Sequence, residues 1–436
     1  MGLFLSLVAA FLIFVISFDP RIERLCWRLL FLSLSVRISI IYIYTYSTYI
    51  GKQNIGIAVT LTDILAAGML ARYMFVRRTR NVLGIKVIGR YVLYVGYIIA
   101  GLFFTYNKGM TTNEVGTVIE LLIMITLITR YMKAKYVRFL YDAIILNIFF
   151  QTCVCIVQAM TGINFRGFDA LVIRYGVYRC QGLYITPSEL ALISMVSFFV
   201  LLLNLLSGCR FYYYKKRTYF AMACCLFCIV EGQSRTCFLI MVIGILLLAM
   251  FRSEKLAGIS KHNLQLVVST GILVLLFLFA MGKIDLGNSG DMLISRIEMW
   301  SMGLKIFMVH PLFGIGANAY TAFNSVFSNS VLLWEKTNPV HNIFIMELAE
   351  TGIVGFFLLF GNFYFVILKF AYKKRKSNIS AEILFIALFV QMLYSFTGWV
   401  FYSPSLRFFN MAIFMLLIVM SRIEDGMHTV GDSEYE

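Results

Sequence analysis

Charge is what this 436-residue chain has least of. Only 14% of its residues are Asp, Glu, Lys or Arg, where a soluble domain carries about a quarter. That is too little to cover a water-facing surface, which excludes a soluble enzyme and a disordered regulator. Proline is also scarce, at 5 residues, so long apolar stretches run without the paired Gly/Pro breaks that mark many transporters. No internal repeat is found. There is no Gly-rich phosphate loop, no HExxH and no DxD in the loops expected to face outward. The N-terminal apolar run has no charged leader and no small-residue cleavage site, so it does not read as a signal peptide. Of the nine cysteines, Cys153, Cys155, Cys224, Cys225, Cys228 and Cys237 fall in apolar runs, and Cys26 and Cys209 fall beside basic clusters. Only Cys180 is expected to face outward, which excludes a disulfide scaffold. The CCxxC run at 224–228 reads as small polarizable residues in a helix rather than a metal site.

What the chain does have is hydrophobicity: 60% of residues are apolar, with 40 Phe and 25 Tyr. Runs of bilayer length recur from end to end. They predict an all-α polytopic membrane bundle of about 12–13 spans, at 2–19, 29–49, 57–76, 91–107, 115–131, 139–160, 188–207, 218–233, 236–251, 264–281, 343–368, 381–402 and 407–421. The first could instead be a half-buried piece, leaving twelve. The net charge of +16 does not imply nucleic acid, because Lys and Arg sit in short clusters between apolar runs rather than on one tail. Alternate connections hold 26 of the 38 basic residues and the intervening ones 11. That bias puts the first set in the cytoplasm. Two of the outward segments are long, 161–187 and 282–342, and segments of that length are usually functional. The expected organisation is 1–160, N-terminal membrane helices; 161–370, a core bearing the two outward loops; 371–421, C-terminal membrane helices; and 422–436, a short cytoplasmic tail.

Polar groups at a membrane edge are expensive to place and therefore informative. Arg235 lies in EGQSRTCF, between two apolar helices; Arg179 lies in YRCQGLYITPSELA; Arg296 lies in SRIEMWSMGLKIF, which has helical apolar spacing. Each alone would also suit snorkelling to lipid headgroups. Gly314 and Gly316 in HPLFGIGANAY mark a tight turn. In NPVHNIFIMELAETGIVG, His341 and Asn342 stand where the chain re-enters an apolar helix, with Glu347 and Glu350 one turn apart beyond them. A guanidinium binds phosphate bidentately and keeps its charge, and an imidazole takes a proton from a hydroxyl near neutral pH. Brought together, these groups would suit attack of a sugar hydroxyl on a glycan whose leaving group is a lipid diphosphate.

At these residues the sequence resembles the O-antigen ligase/polymerase superfamily of bacterial envelope polysaccharide assembly, most strongly over 175–356. The carriers are Arg179, Gly182 and Pro187; Ser234 and Arg235; Arg296 and Trp300; His310, Pro311, Gly314 and Gly316; and the pattern His341, Asn342, Gly352, Gly355. The resemblance implies a GT-C-like glycosyltransferase in the bacterial inner membrane, with its active site facing the periplasm, an inverting reaction, and no metal or cofactor. It implies His341 as general base or acceptor-positioning residue, Arg179 and Arg235 as a diphosphate clamp, and Arg296 as a helper. Asn342, Glu347, Glu350, Gly314 and Gly316 would support them, the two glutamates either orienting His341 or serving helix packing. The implied partners are an undecaprenyl-diphosphate-linked glycan donor, a lipid-linked glycan or lipid A-core acceptor, membrane lipids and a chain-length regulator. A polymerase of lipid-linked repeat units is the leading reading. A ligase to lipid A-core is the alternative, and a lipid-linked glycan or anion transporter a further one.

Overall fold

The computed structural model describes residues 2–34, 39–44, 56–76, 82–165, 171, 173–174, 177–208, 211–252, 289–327, 339–398, 400 and 404–429. The expected span at 264–281 and the loop stretches 282–288 and 328–338 lie outside these. Among the described residues six helices are long and apolar enough to cross a membrane, and two shorter apolar helices, Ser6–Ser17 and Ile379–Tyr394, stand where spans were expected. The chain is a polytopic helical membrane protein. Its internal contacts divide it into two compact units.

The first unit comprises Met1–Lys133, Gly290–Lys369 and Ser395–Pro404. It opens with α1 (Gly2–Ser17) and α2 (Glu23–Ser33). The predicted span 29–49 is not formed. Instead α2 stops, and Ser39–Tyr44 (β1) pairs antiparallel with Gly56–Thr60 (β2). After Ser39 the run IIYIY is entirely β-branched or aromatic, and such residues pack better on a pleated strand than against a helical turn. Then come α3 (Leu61–Val76), α4 (Val82–Gly101) and α5 (Lys108–Tyr131), the last capped by the Asn107 side chain. A buried polar knot ties α2, α3 and the residues just past α5 together. Glu23 accepts from Arg72 at 2.9 Å and from the Tyr73 hydroxyl at 2.6 Å, and meets Lys133 at 3.2 Å. Two charges and a phenol around one carboxylate satisfy the group whose burial would otherwise cost most.

In the rest of the first unit, the segment 282–342, expected as an outward loop with helical spacing around Arg296, carries two helices among its described residues, and the expected span 343–368 is helical as predicted. This part holds α10 (Ser289–Val309), α11 (Tyr320–Phe327) and α12 (Ile343–Phe356), with a π-helical stretch Phe357–Tyr364 that leads into α13 (Phe365–Lys374).

The second unit comprises Ala134–Ser289, Phe370–Tyr394 and Ser405–Glu436. Its helices are α6 (Val137–Thr161), α7 (Pro187–Leu206), α8 (Lys215–Glu231), α9 (Arg235–Arg252), α14 (Ile379–Tyr394) and α15 (Pro404–Thr429). A two-residue ladder pairs Ile173–Arg174 (β3) with Val177–Tyr178 (β4). α7 is the axis: every residue from Glu189 to Asn204 is buried, because α6, α8, α9 and α14 all pack on it. A helix apolar on all sides is what such a position needs. At one end Arg252 forks onto Glu382, Nε and Nη2 at 3.2 and 3.0 Å from its two oxygens. α15 runs on through residues the sequence assigned to a polar tail. They are held there because Glu424 accepts from the Ser380 hydroxyl at 2.6 Å and Asp425 pairs with Lys374.

Candidate functional site

In the second unit, the segment after β4 is fixed by side chains of α6. Gln158 Oε1 accepts from the amides of Gln181 (3.1 Å) and Gly182 (2.8 Å), and its Nε2 donates back to Gly182 O at 3.0 Å. Gln151 Oε1 accepts from Leu183 N at 2.9 Å. Gly182 has φ +61°, and a Cβ there would strike the Gln151 amide; that is why a glycine stands here. The segment then enters α7 through a capping box. Thr186 Oγ1 accepts from Glu189 N at 3.3 Å, Glu189 reaches back to Ile185 N at 3.0 Å, and Pro187 takes the first helical position.

This clamped segment lies on the turn between α8 and α9. Cys180 N donates to Glu231 O at 3.1 Å and Arg179 Nε to Gly232 O at 3.0 Å. A Cβ on Gly232 would lie 2.9 Å from Pro187 O, so only glycine allows the approach. The turn is finished by Gln233 in the left-handed region (φ 47°) and by Ser234, whose hydroxyl accepts from Cys237 N at 3.4 Å. Arg235 is the first residue of α9 and is half-buried at that helix end. Arg179 and Arg235, 56 positions apart in the chain, are therefore carried by one backbone junction. Cys180 is fully buried, its thiol 3.4 Å from Cys155 O. Sequence reasoning missed Tyr394, at the end of α14. Its hydroxyl meets the side chains of Ser188 and Ser234 and lies in the field of Arg179. One tyrosine among 25 in an apolar run gives no signal.

In the first unit, the two glycine motifs lock onto each other. α12 breaks at Gly352 (φ 64°, ψ −172°), which exposes carbonyls and amides that a continuous helix would use internally. The loop 311–316 takes them. Ile315 N donates to Ala349 O (3.1 Å) and Gly316 N to Glu350 O (2.8 Å), while Ile353 N donates to Pro311 O (2.9 Å) and Val354 N to Leu312 O (3.3 Å). Gly314 (φ 68°) sits so close to the backbone of Glu350 that a Cβ would overlap it. Glu350 holds the next turn, accepting from Asn318 N at 2.8 Å and Tyr320 N at 3.0 Å. Burial, with the Glu350 charge adding to it, pushes the Tyr320 phenol above its ordinary range. Glu347 accepts from the Tyr94 hydroxyl at 2.9 Å and from Thr351 Oγ1 at 3.0 Å.

His341 is half-buried on the turn before α12, between buried Val340 and Asn342. Asn342 is the N-cap: its Oδ1 accepts from Phe344 N and Ile345 N at 3.0 and 3.2 Å. Ile343 N donates to Ser395 O at 3.0 Å, which pins the turn. α10 reaches it through Gly303, where a Cβ would stand 2.6 Å from Ile345 Cγ2 and 3.5 Å from Val340 Cγ2. Arg296 lies seven residues earlier, two turns along the same stripe of α10. His310 is exposed at the end of α10, edge-on to Phe323. The structure thus gathers His341, Asn342, Glu347, Glu350, Gly314 and Gly316 around α12 in the first unit, and Arg179 with Arg235 in the second.

Comparison with known proteins fits this arrangement. Residues 220–360 match the O-antigen ligase family model, a stretch that holds the sequence-predicted candidates except Arg179 and does not reach Tyr394. The chain is 32% identical over 148 residues to the exopolysaccharide production protein ExoQ of Rhizobium meliloti (strain 1021), a match covering 30% of this chain and 33% of that relative. The chain therefore matches about a third of that relative's length. Motif order, helical membrane architecture and the matched stretch agree, and residues 220–360 are similar to the O-antigen ligase family.

Proposed function

We propose that this protein is a membrane glycosyltransferase that polymerizes undecaprenyl-diphosphate-linked oligosaccharide repeat units into O-antigen or a similar surface polysaccharide. The observation that carries the reading is the Arg179–Gly232–Arg235 junction. It presents two permanent cations and a helix N-terminus, the combination that binds and stabilises phosphate oxyanions. In the reaction, His341 takes the proton of an acceptor hydroxyl, whose oxygen attacks the anomeric carbon of the donor glycan. The bond from that carbon to the diphosphate breaks with inversion. Its electron pair leaves on the lipid diphosphate, where Arg179 and Arg235 stabilise the charge and Arg296 assists. The Tyr394 and Ser234 hydroxyls stand beside the same cations and supply further donors. A relative named for exopolysaccharide production favours chain growth; the family description favours the second reading, ligation of a finished glycan to lipid A-core.

The test is the lipopolysaccharide banding of a strain lacking the gene, complemented with the wild-type chain, His341→Ala or Arg235→Lys. Core bearing a single repeat unit supports the polymerase. Bare core with lipid-linked polymer left in the membrane supports the ligase. Both variants should fail to complement while reaching normal membrane levels, since an ammonium cannot reproduce the bidentate contact. Full complementation by both would remove His341 and Arg235 from the chemistry.

A further inference from the structure

The opposite end of the second unit carries a feature that glycan transfer does not use. α6 and α8 pack side by side and both begin at basic clusters. Between the first half of α6 and the first turns of α8 opens a groove of about 540 Å³. Its floor is apolar, built by Ile145, Leu146 and Phe149 of α6 and Phe220 of α8. Leu146, Phe149 and Phe220 remain 55, 46 and 55% exposed, and the Phe149 and Phe220 rings stand 6.0 Å apart along it.

The mouth of the groove is cationic. Lys216 and Arg217 line it from the first turn of α8, and exposed Arg138 lies one turn before Asp142 on the same stripe of α6. Arg217 is held in place, its guanidinium 4.5 Å above the Tyr214 ring. Asp142, the acidic member of the lining, is engaged by the Tyr212 hydroxyl at 3.0 Å, and Tyr212 in turn meets Arg217. The carboxylate is thus turned into a support for the cationic rim. Exposed Tyr213 and Tyr214 flank it, the residue type enriched where a helix leaves hydrocarbon for headgroups.

An occupant has to satisfy both halves. A water-soluble anion would leave the aromatic floor uncovered, and an uncharged chain would leave the two cations Lys216 and Arg217 facing the single lining carboxylate, Asp142. We propose that this groove binds an anionic glycerophospholipid. Its phosphate sits between Lys216 and Arg217, and an acyl chain lies along Leu146, Phe149 and Phe220. Basic recesses between helices at the cytoplasmic surface suit anionic headgroups for this reason. The site is independent of the glycan reaction and stands or falls separately from it.

The experiment is native mass spectrometry of the purified full-length chain with phosphatidylglycerol or phosphatidylcholine of identical acyl chains, with unfolding in the same lipids read alongside. The wild type should retain phosphatidylglycerol in preference and be stabilised by it. Lys216→Ala/Arg217→Ala should weaken phosphatidylglycerol retention roughly 25-fold, about 5-fold for each cation near the surface. Leu146→Trp, which fills the floor and keeps every charge, should also abolish the preference. Lys373→Ala/Lys376→Ala, the same charge loss outside the groove, should leave it intact. Unfolding midpoints without lipid show that each variant folds, all the changes being on exposed side chains. Equal retention of both lipids, an equal loss in the Lys373/Lys376 pair, or undiminished binding by Leu146→Trp would each overturn the groove. Displacement by inorganic phosphate alone would make it a simple anion site and overturn the lipid assignment too.

Discussion

Glu350 spends both carboxylate oxygens on the backbone, receiving the amides of Asn318 and Tyr320 while its own carbonyl receives Gly316 N. One residue therefore fixes the break in α12, the 311–316 loop and the start of α11. Glu350→Gln keeps the shape but puts an NH2 where one amide needs an acceptor. The expected outcome is a lower thermal midpoint in detergent, equivalent to about 1–3 kcal/mol for a buried donor left unsatisfied. Residual transfer per folded molecule should be nearly unchanged. If Glu350 acts instead by orienting His341, the midpoint stays put and turnover collapses. Arg179 is tied to the backbone instead: its Nε donates to Gly232 O at 3.0 Å, which fixes the side chain on the α8–α9 turn.

Among the elements, α12 is where sequence and structure diverge most usefully. Asn342 stands in a family motif beside the candidate base, yet its side chain caps the helix by accepting two backbone amides. Asp caps as well as Asn, and Ala does not. Asn342→Ala should therefore cost about 1 kcal/mol, and Asn342→Asp should unfold at the wild-type temperature. Transfer activity of the Asp variant decides whether the amide also touches substrate: retained activity means capping only, and lost activity at full stability means contact. Most of the helices were legible from apolar run length, and the start of α7 from Pro187 and Ser188. Three things were not. The run SIIYIY carries no periodicity that separates a buried helix from a strand, and it became β1. The segment 282–342 reads as an outward loop with helical spacing only around Arg296, yet α10 extends over Ser289–Val309 and α11 follows it. The interlock of Gly352 with 311–316 depends on φ/ψ values and on contacts 40 residues apart along the chain, between Leu312 and Gly352. Sequence shows the glycines without showing what they approach. Tyr394 was invisible for a related reason, because only the α8–α9 turn gives its hydroxyl meaning.

For the molecule as a whole the decisive quantity is sidedness, since the proposed reaction requires its lipid-diphosphate glycan to be met on the outer face. The bias of 26 basic residues to 11 predicts it, and the first unit offers a place to read it out. The turn before α5 is tied to the candidate-site loop: Tyr106 N donates to Ile315 O at 2.7 Å and Asn318 Nδ2 to Met110 O at 3.0 Å. A label on exposed Lys108 therefore reports the side on which the 311–318 loop lies. Lys373, exposed near the end of α13, reports the opposite side. Lys108→Cys should react with a membrane-impermeant maleimide in intact cells. Lys373→Cys should react only after permeabilisation, each measured above the labelling of the parent chain, whose described cysteines are buried apart from Cys153 within α6. The reverse pattern would turn the loop, Glu350 and α12 toward the cytoplasm. A transfer reaction on outward-facing lipid-linked glycans would then be untenable, whatever His341 and the two arginines can do chemically.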